Sequence, residues 1–303
     1  MRDRLRAAVH GAYERVLRRE LDGAPEHVAV IMDGNRRYAR ERGQEATDGH
    51  RSGAQTTEQV LEWCADLGVE ELTLYAFSTE NFDRPDEQNE QLFDLLTRKL
   101  REFADADRVH DQRVRIRTIG ETERLPERVR EAATYADRRT AGYDGFTLNI
   151  ALAYGGRAEL LGAARGIADA VDAEDIDPAD VDVAEIESRL HASPVRDVDL
   201  IIRTGGAERT SNFLPWHANG SEAAVFFCTP YWPEFSKVDF LRAVRTYESR
   251  EASWRRTRAR RALALFVRSL GTDVKEARQV LDRLKGTLPE SPDVEEVDGR
   301  SAD

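Results

Sequence analysis

Lysine is nearly missing from this 303-residue chain. Of 45 basic residues only Lys99, Lys237, Lys275 and Lys285 are lysines, and 57 Asp and Glu bring the formal charge to −12. That balance argues against a general nucleic-acid binder, whose affinity leans on net positive charge. An acidic, Asp-rich, Lys-poor surface suits a cytoplasm of high ionic strength, where screening weakens self-repulsion. GC-rich coding would also favour arginine over lysine. Cysteine is scarce too: Cys64 and Cys228 alone exclude a disulfide framework, and their apolar contexts read as buried thiols in a reducing compartment. No apolar run reaches the roughly 18 residues of a membrane span. The amino-terminal stretch MRDRLRAAVHGAYERVLRRELDG is charged throughout and lacks the apolar core of a signal peptide. The expected location is cytoplasmic. Also absent are a Walker A loop, a GxGxxG fingerprint, zinc-ligand spacing, HExxH, a Ser-His-Asp order and an aspartate-rich DDxxD.

What is present alternates. Apolar, β-rich runs fall at His27–Met32, Glu71–Phe77, Arg113–Gly120, Thr147–Ala153, Val198–Arg203 and Ala223–Cys228. Most are continuous rather than alternating, as in parallel strands covered on both faces. Amphipathic helical patterns lie between them at Gln55–Leu67, Glu90–Phe103, Glu121–Arg139, Ala158–Asp172 and Val183–His191. The pattern predicts one α/β domain over residues 1–285, its strands in a parallel sheet joined by βαβ crossovers. That domain would include an amino-terminal helix at 3–21 and Arg-rich helices at 239–285, with an acidic, disordered tail at 286–303. The acidic segment Ala173–Asp182 reads as a solvated turn before a helix rather than a metal loop.

In parallel α/β sheets ligands sit beyond the carboxyl ends of the strands, so the residues after each strand matter most. HVAVIMDGNRRYAR ends a buried strand on Asp33. Gly34 permits a tight turn, the helix that follows offers free N–H groups to an anion, and Arg37 adds a fork for phosphate oxygens. Asp33 would hold a metal or act as a base; the stretch by itself is equally consistent with an ordinary Asp/Asn helix cap. STENFDRP supplies Ser78, Asn81 and Arg84 with Phe82 as an apolar surface, or else a capped turn closed by proline. RTGGAERTSNF places Arg203, Arg209 and Ser211 around a Gly-Gly turn, a second anion nest. Glu222 precedes a strand that should be buried and needs a partner. His217 reads as structural, and Trp216, Tyr231, Trp232 and Phe235 as core or interface. Two anion sites, two carboxylates of metal-ligand type and an apolar wall on Glu90–Phe103 suit the joining of two isoprenoid diphosphates.

HVAVIMDGNRRYAR, LTLYAFSTENFDRP, TLNIALAYGGR and DLIIRTGG…RTSNFLPW…E resemble, in order and spacing, the blocks of the cis-prenyltransferase family. The resemblance spans roughly Glu26 to Arg250, and the NRRYAR form is more similar to archaeal and eukaryotic members. It implies an α/β fold with a mostly parallel six-stranded sheet wrapped by helices, in a magnesium-dependent homodimer or heterodimer that adds isopentenyl diphosphate units in cis to an allylic primer, farnesyl or geranylgeranyl diphosphate. The long polyprenyl diphosphate product is the precursor of a lipid glycan carrier. Carried over by motif, Asp33 and Glu222 would hold Mg²⁺. Gly34, Asn35, Arg37 and His50 would hold the allylic diphosphate, and Asn81 and Arg84 would position the pair, beside Ser78 and Phe82. Arg203, Arg209 and Ser211 would grip isopentenyl diphosphate, and the Glu90–Phe103 helix would line the product tunnel. Three departures stand out: Ala46 where many bacterial members carry a phosphate-binding arginine, Ala207 in place of an acidic residue, and no C-terminal Arg-x-Gly element in ESREASWRRTRARR. The last raises the alternative of a non-catalytic partner subunit. The Arg-rich SWRRTRARRALALFVR could also touch a membrane surface.

Overall fold

The computed structural model describes residues 2–190, 195–218 and 223–252, with side chains from residue 11 onward. Met1–Arg250 form one compact unit. The expected domain limit at 285, the Arg-rich helices beyond 252, the acidic tail and Glu222 lie outside the described residues. Among the described residues no helix is long and apolar enough to cross a membrane.

Six parallel strands form one sheet in the order β3-β4-β2-β1-β5-β6: β1 His27–Ile31, β2 Glu71–Tyr75, β3 Val114–Ile119, β4 Phe146–Ala151, β5 Leu200–Arg203 and β6 Ala224–Phe227. The six expected strands are all present. The central strands β1 and β5 are buried at every position, whereas the edge strand β3 alternates. This is why continuous apolar runs marked the middle of the sheet and a weaker pattern its rim.

The helices are α1 Arg2–Glu20, α2 Asn35–Glu41, α3 Ala46–Leu67, α4 Asp86–Asp105, α5 Asp107–Asp111, α6 Glu127–Arg139, α7 Gly156–Asp172 and α8 Val183–Ser188; residues 237–252 are helical as well. Helix α3 starts nine residues before the expected Gln55. Its first turns, ATDGHRSGA, are polar and glycine-bearing and read as a loop, yet they pack closely on α2. Helix α6 starts later than expected, at Glu127, because Pro126 sits where a helix begins and a short 3-10 turn precedes it. In the acidic segment, Asp182 caps α8 by accepting from the Glu185 N–H at 2.9 Å, so the solvated-turn reading holds. Both cysteines are buried free thiols, and burial pushes the Cys228 thiol up to about 12.

A polar seam crosses the sheet at the amino ends of the central strands. His27 is fully buried; Nδ1 lies 2.7 Å from the Arg196 carbonyl and Nε2 2.7 Å from Thr73 Oγ1. A carbonyl can only accept, so Nδ1 carries the hydrogen and Nε2 accepts from the hydroxyl. Asn149 Nδ2 donates to Thr73 Oγ1 at 3.1 Å and to Glu71 Oε1 at 2.5 Å. Burial lowers the His27 pKa below 6.5, and Glu71 opposes that only in part. His50 is shifted the same way, to about 4, by burial and then by Arg84 and Arg36. Both histidines bind protons more readily unfolded than folded. Stability is therefore complete above pH 6.5 and falls as pH drops below it, by up to about 1.4 kcal/mol per pH unit per histidine. Thermal melts from pH 8 to pH 5 should show a falling midpoint and a shallower fall in His27→Gln. Equal slopes in both proteins would remove His27 from this account.

Candidate active site

The chain leaves β1 on one side to build β2, β3 and β4 and returns on the other to build β5 and β6. The carboxyl ends of β1 and β5 flank this reversal, and Ile31 pairs there with Arg203. A ligand crevice is expected at such a switch point.

Asp33 stands at its centre. Its backbone is fixed from three sides: the Asp33 N–H donates to Ile31 O at 3.0 Å, and its carbonyl accepts from Thr204 Oγ1 at 2.8 Å and from the Trp232 N–H at 3.0 Å. The carboxylate lies 2.9 Å from Arg203 Nη2 and 3.2 Å from Arg37 Nη2. Burial alone would raise its pKa; Arg203 and then Arg37 outweigh that and hold it below the ordinary carboxylate value. The simple helix-cap reading fails, because the cap of α2 is Gly34 and no side chain caps it. Gly34 has φ 103°, and a Cβ there would fall 2.5 Å from the Tyr231 ring. Gly205, at φ 80°, likewise makes room: its Cβ would fall 2.7 Å from Arg37 Nη2.

Arg203 is 4% exposed and ties the second loop to the first. It donates to the Arg209 carbonyl at 2.6 Å and to Ser211 Oγ, while Arg209 Nε donates to the same hydroxyl at 3.2 Å. Ser211, Asn212 and Leu214 all have positive φ without being glycine, a costly backbone that the surroundings must enforce. Asn212 does part of that work: its carbonyl accepts from Gly156 N–H at 2.9 Å and its Oδ1 from Arg157 N–H at 2.8 Å, anchoring the loop to the start of α7.

After β2, Asn81 Nδ2 donates to Ser78 Oγ at 2.8 Å and holds the turn Thr79–Asp83. The capped-turn reading is thus right as far as it goes, and both side chains also face the crevice. Arg84 is pushed down to about 10 by burial and by Arg36, against the pull of Asp33. Neither Arg84 nor Arg36 has a carboxylate within ion-pair distance among the described residues; Arg36 Nη1 donates to Gln88 at 3.0 Å. Two neighbouring, unneutralised guanidiniums ask for an anion.

These groups open into one cavity of about 750 Å³. Asp33, Asn35, His50, Ser78, Asn81, Arg84, Arg203, Arg209 and Ser211 line its polar end. Leu92, Leu95, Leu96, Leu100 and Phe103 of α4, with Leu74 and Ile150 of the sheet, line its apolar part, where Lys99 of α4 also stands. A model of the family described as putative undecaprenyl diphosphate synthase matches residues 31–255. The chain belongs to this cis-prenyltransferase family. A tritrans,polycis-undecaprenyl-diphosphate synthase (geranylgeranyl-diphosphate specific) of Halobacterium salinarum is 76% identical over 303 residues, covering 100% of both chains. One of the same description from Haloarcula marismortui is 63% identical, covering 95% of each. The crystal structure of lavandulyl diphosphate synthase from Lavandula x intermedia in complex with dimethylallyl diphosphate superposes with TM-score 0.68 at 32% identity, covering 74% of this chain and 95% of that one. A probable undecaprenyl diphosphate synthase from Campylobacter jejuni gives 0.60 at 30%, covering 75% and 96%. None of these relatives supports the non-catalytic alternative.

In this prenyltransferase three of the expected site residues do not line the cavity. Phe82 packs edge-on against Phe77, 4.9 Å between centroids, under Arg124; the aromatic was read as a substrate surface because its turn was, but it closes the core behind that turn. Gly34 and Arg37 lie one layer out, Arg37 reaching the site through Asp33 and stacking over Tyr231 at 5.2 Å. Sequence reasoning missed Glu80, Arg157, Asn212 and Trp232, all of which line the cavity. Glu80 was visible as a carboxylate after a strand. Trp232 was read as core, correctly, since it is 1% exposed and donates to the Gly53 carbonyl at 2.8 Å; it is core and cavity wall together.

Proposed function

We propose that this cis-prenyltransferase extends geranylgeranyl diphosphate with isopentenyl diphosphate units to a long polyprenyl diphosphate, the precursor of a lipid glycan carrier. The observation that carries this reading is one cavity whose polar end joins Asp33 to Arg203 and whose largely apolar wall along α4 leads away from them. The names of the curated relatives support the choice of primer. Arg84 and His50, with Arg37 behind Asp33, hold the allylic diphosphate; Arg203, Arg209 and Ser211 hold isopentenyl diphosphate. Donors aimed at the leaving oxygens lower the ionisation barrier by roughly 3–4 kcal/mol each. The leucines of α4 keep water from the allylic cation that forms.

Magnesium fits the donor set. Among the described residues there is no cluster of three or more His, Cys, Asp or Glu side chains. One partly exposed carboxylate, Asp33, at the polar end of the cavity matches an ion that takes one or two carboxylates and fills its shell from phosphates and water. Asp33 would hold it, with Glu222 as second ligand, and it would supply positive charge at the departing diphosphate. We further propose a homodimer with loose peripheral membrane contact, on the family resemblance and the Arg-rich segment beyond the described residues.

Incubation with radiolabelled isopentenyl diphosphate, Mg²⁺ and each of dimethylallyl, farnesyl and geranylgeranyl diphosphate tests the reading. Butanol-soluble product longer than the primer is expected, with the highest kcat/KM for geranylgeranyl diphosphate. No elongation of any primer by folded protein would end it, and a preference for farnesyl diphosphate would correct the primer.

A further inference from the structure

Three of the four inner strands deliver a charged residue to the crevice: Asp33 follows β1, Arg84 follows β2 and Arg203 ends β5. The fourth, β4, runs into ALAYGGR, a block from which no residue has been given a role. Its arginine, Arg157, is exposed in the first turn of α7 and lines the same cavity.

Arg157 is held against the second anion loop. Its N–H donates to Asn212 Oδ1 at 2.8 Å, and the Gly156 N–H donates to the Asn212 carbonyl at 2.9 Å. Asn212 directly follows Ser211. Gly156 admits this approach, since a Cβ there would strike the Pro215 ring. The opening amides of α7 are thus spent on Asn212 and are not offered to a ligand. The guanidinium is not spent. Among the described residues no carboxylate lies within ion-pair distance of it, and no hydrogen bond engages it.

Positive charge is short on this side of the cavity. Arg203 is set against Asp33 at 2.9 Å, and its Nη1 goes to the Arg209 carbonyl and Ser211 Oγ. Glu80 adds a second carboxylate, 3.4 Å from Asn212 Nδ2. Arg84 stands apart, beside Arg36 and His50. Arg209 is then the cation that the loop itself leaves unneutralised. A diphosphate is multiply charged and is held best where several guanidinium forks converge.

We propose that Arg157 binds the diphosphate of isopentenyl diphosphate, as a further arginine beside Arg203 and Arg209. It is supplied by α7, the helix that already anchors the loop through Asn212. The inference rests on the synthase reading above and adds to its second anion site a residue from the end of β4.

The test is steady-state kinetics with each substrate varied at saturation of the other, and melting midpoints as the control for folding. Arg157→Gln keeps the backbone bond to Asn212 and removes an exposed side chain, so it should melt as the wild type does. Its KM for isopentenyl diphosphate should rise about tenfold or more, the scale of one lost hydrogen bond from a charged donor, while KM for geranylgeranyl diphosphate stays within about twofold. Arg157→Lys keeps a charge without the fork and should lie between Arg157→Gln and the wild type. Arg157→Glu sets a like charge against the diphosphate and should exceed Arg157→Gln; it also serves if that variant does not fold. An unchanged KM for isopentenyl diphosphate in folded Arg157→Gln or Arg157→Glu overturns the proposal. An equal rise for both substrates overturns it too, since Arg157 would then act on the whole cavity and not on one diphosphate. Failure of the wild type to elongate any primer would instead refute the synthase reading, so the two failures are distinct.

Discussion

Asp33→Ala is expected to slow elongation by about a thousandfold or more, since it removes several kcal/mol of charge stabilisation and each ~1.4 kcal/mol is tenfold in rate. The protein should stay folded at about 25 °C with a lowered melting midpoint, because the buried Arg203 loses its carboxylate but keeps the Arg209 carbonyl and the Ser211 hydroxyl as acceptors. Asp33→Asn separates a metal role from a purely structural one. A carboxylate repels a diphosphate unless a cation lies between them. Without magnesium, Asp33→Asn should therefore bind inorganic pyrophosphate more tightly than the wild type. With magnesium the order should reverse, and turnover should stay low. Calorimetric titration with and without the metal reads both. Normal turnover in Asp33→Ala, or unchanged pyrophosphate affinities in Asp33→Asn, would remove Asp33 from the metal.

The same corner shows what a sequence can and cannot reveal. The end of β1 was legible because its apolar run stops abruptly at a carboxylate, and a buried strand leaves few places for one. Arg203 was legible for the mirrored reason, a guanidinium closing an apolar strand. That the two meet at 2.9 Å was not. It depends on β1 and β5 being neighbours, whereas three strands separate them in the chain. The loop after Arg203 was read as a glycine turn; its shape rests equally on the positive φ of Ser211, Asn212 and Leu214, of which Asn212 is bonded to the start of α7 and Ser211 to Arg203 and Arg209. The first turns of α3 escaped because local propensity opposes a helix there and packing on α2 overrides it. The leucine stripe of α4 was plain from its spacing, yet the same spacing hid Lys99. A helical period reports which face a residue occupies and not which charges wait on the neighbouring helix.

Arg203 carries the second large effect. It is a fork with three acceptors on two loops, and its backbone carbonyl accepts from the Cys228 N–H at 3.0 Å, so it joins β1, β5, β6 and the second anion loop. Arg203→Met removes the cation and leaves Asp33 with Arg37 alone. Asp33 is partly exposed and keeps Arg37, so the loss is that of hydrogen bonds to a charged group, roughly 1.5–3 kcal/mol, which in a domain of this size lowers the melting midpoint by about 5–10 °C. Arg203→Lys keeps the charge but cannot span Asp33, the Arg209 carbonyl and Ser211 at once. It should melt closer to the wild type while kcat/KM for isopentenyl diphosphate falls by about a hundredfold, the scale of one lost positioned donor. The split between the two variants is the informative result, because it separates charge from geometry. Differential scanning fluorimetry and steady-state kinetics at saturating primer measure it. Wild-type kinetics in Arg203→Lys would show that the site needs only a positive charge at the end of β5, and the second anion loop would then have to be held by something other than the arginine fork.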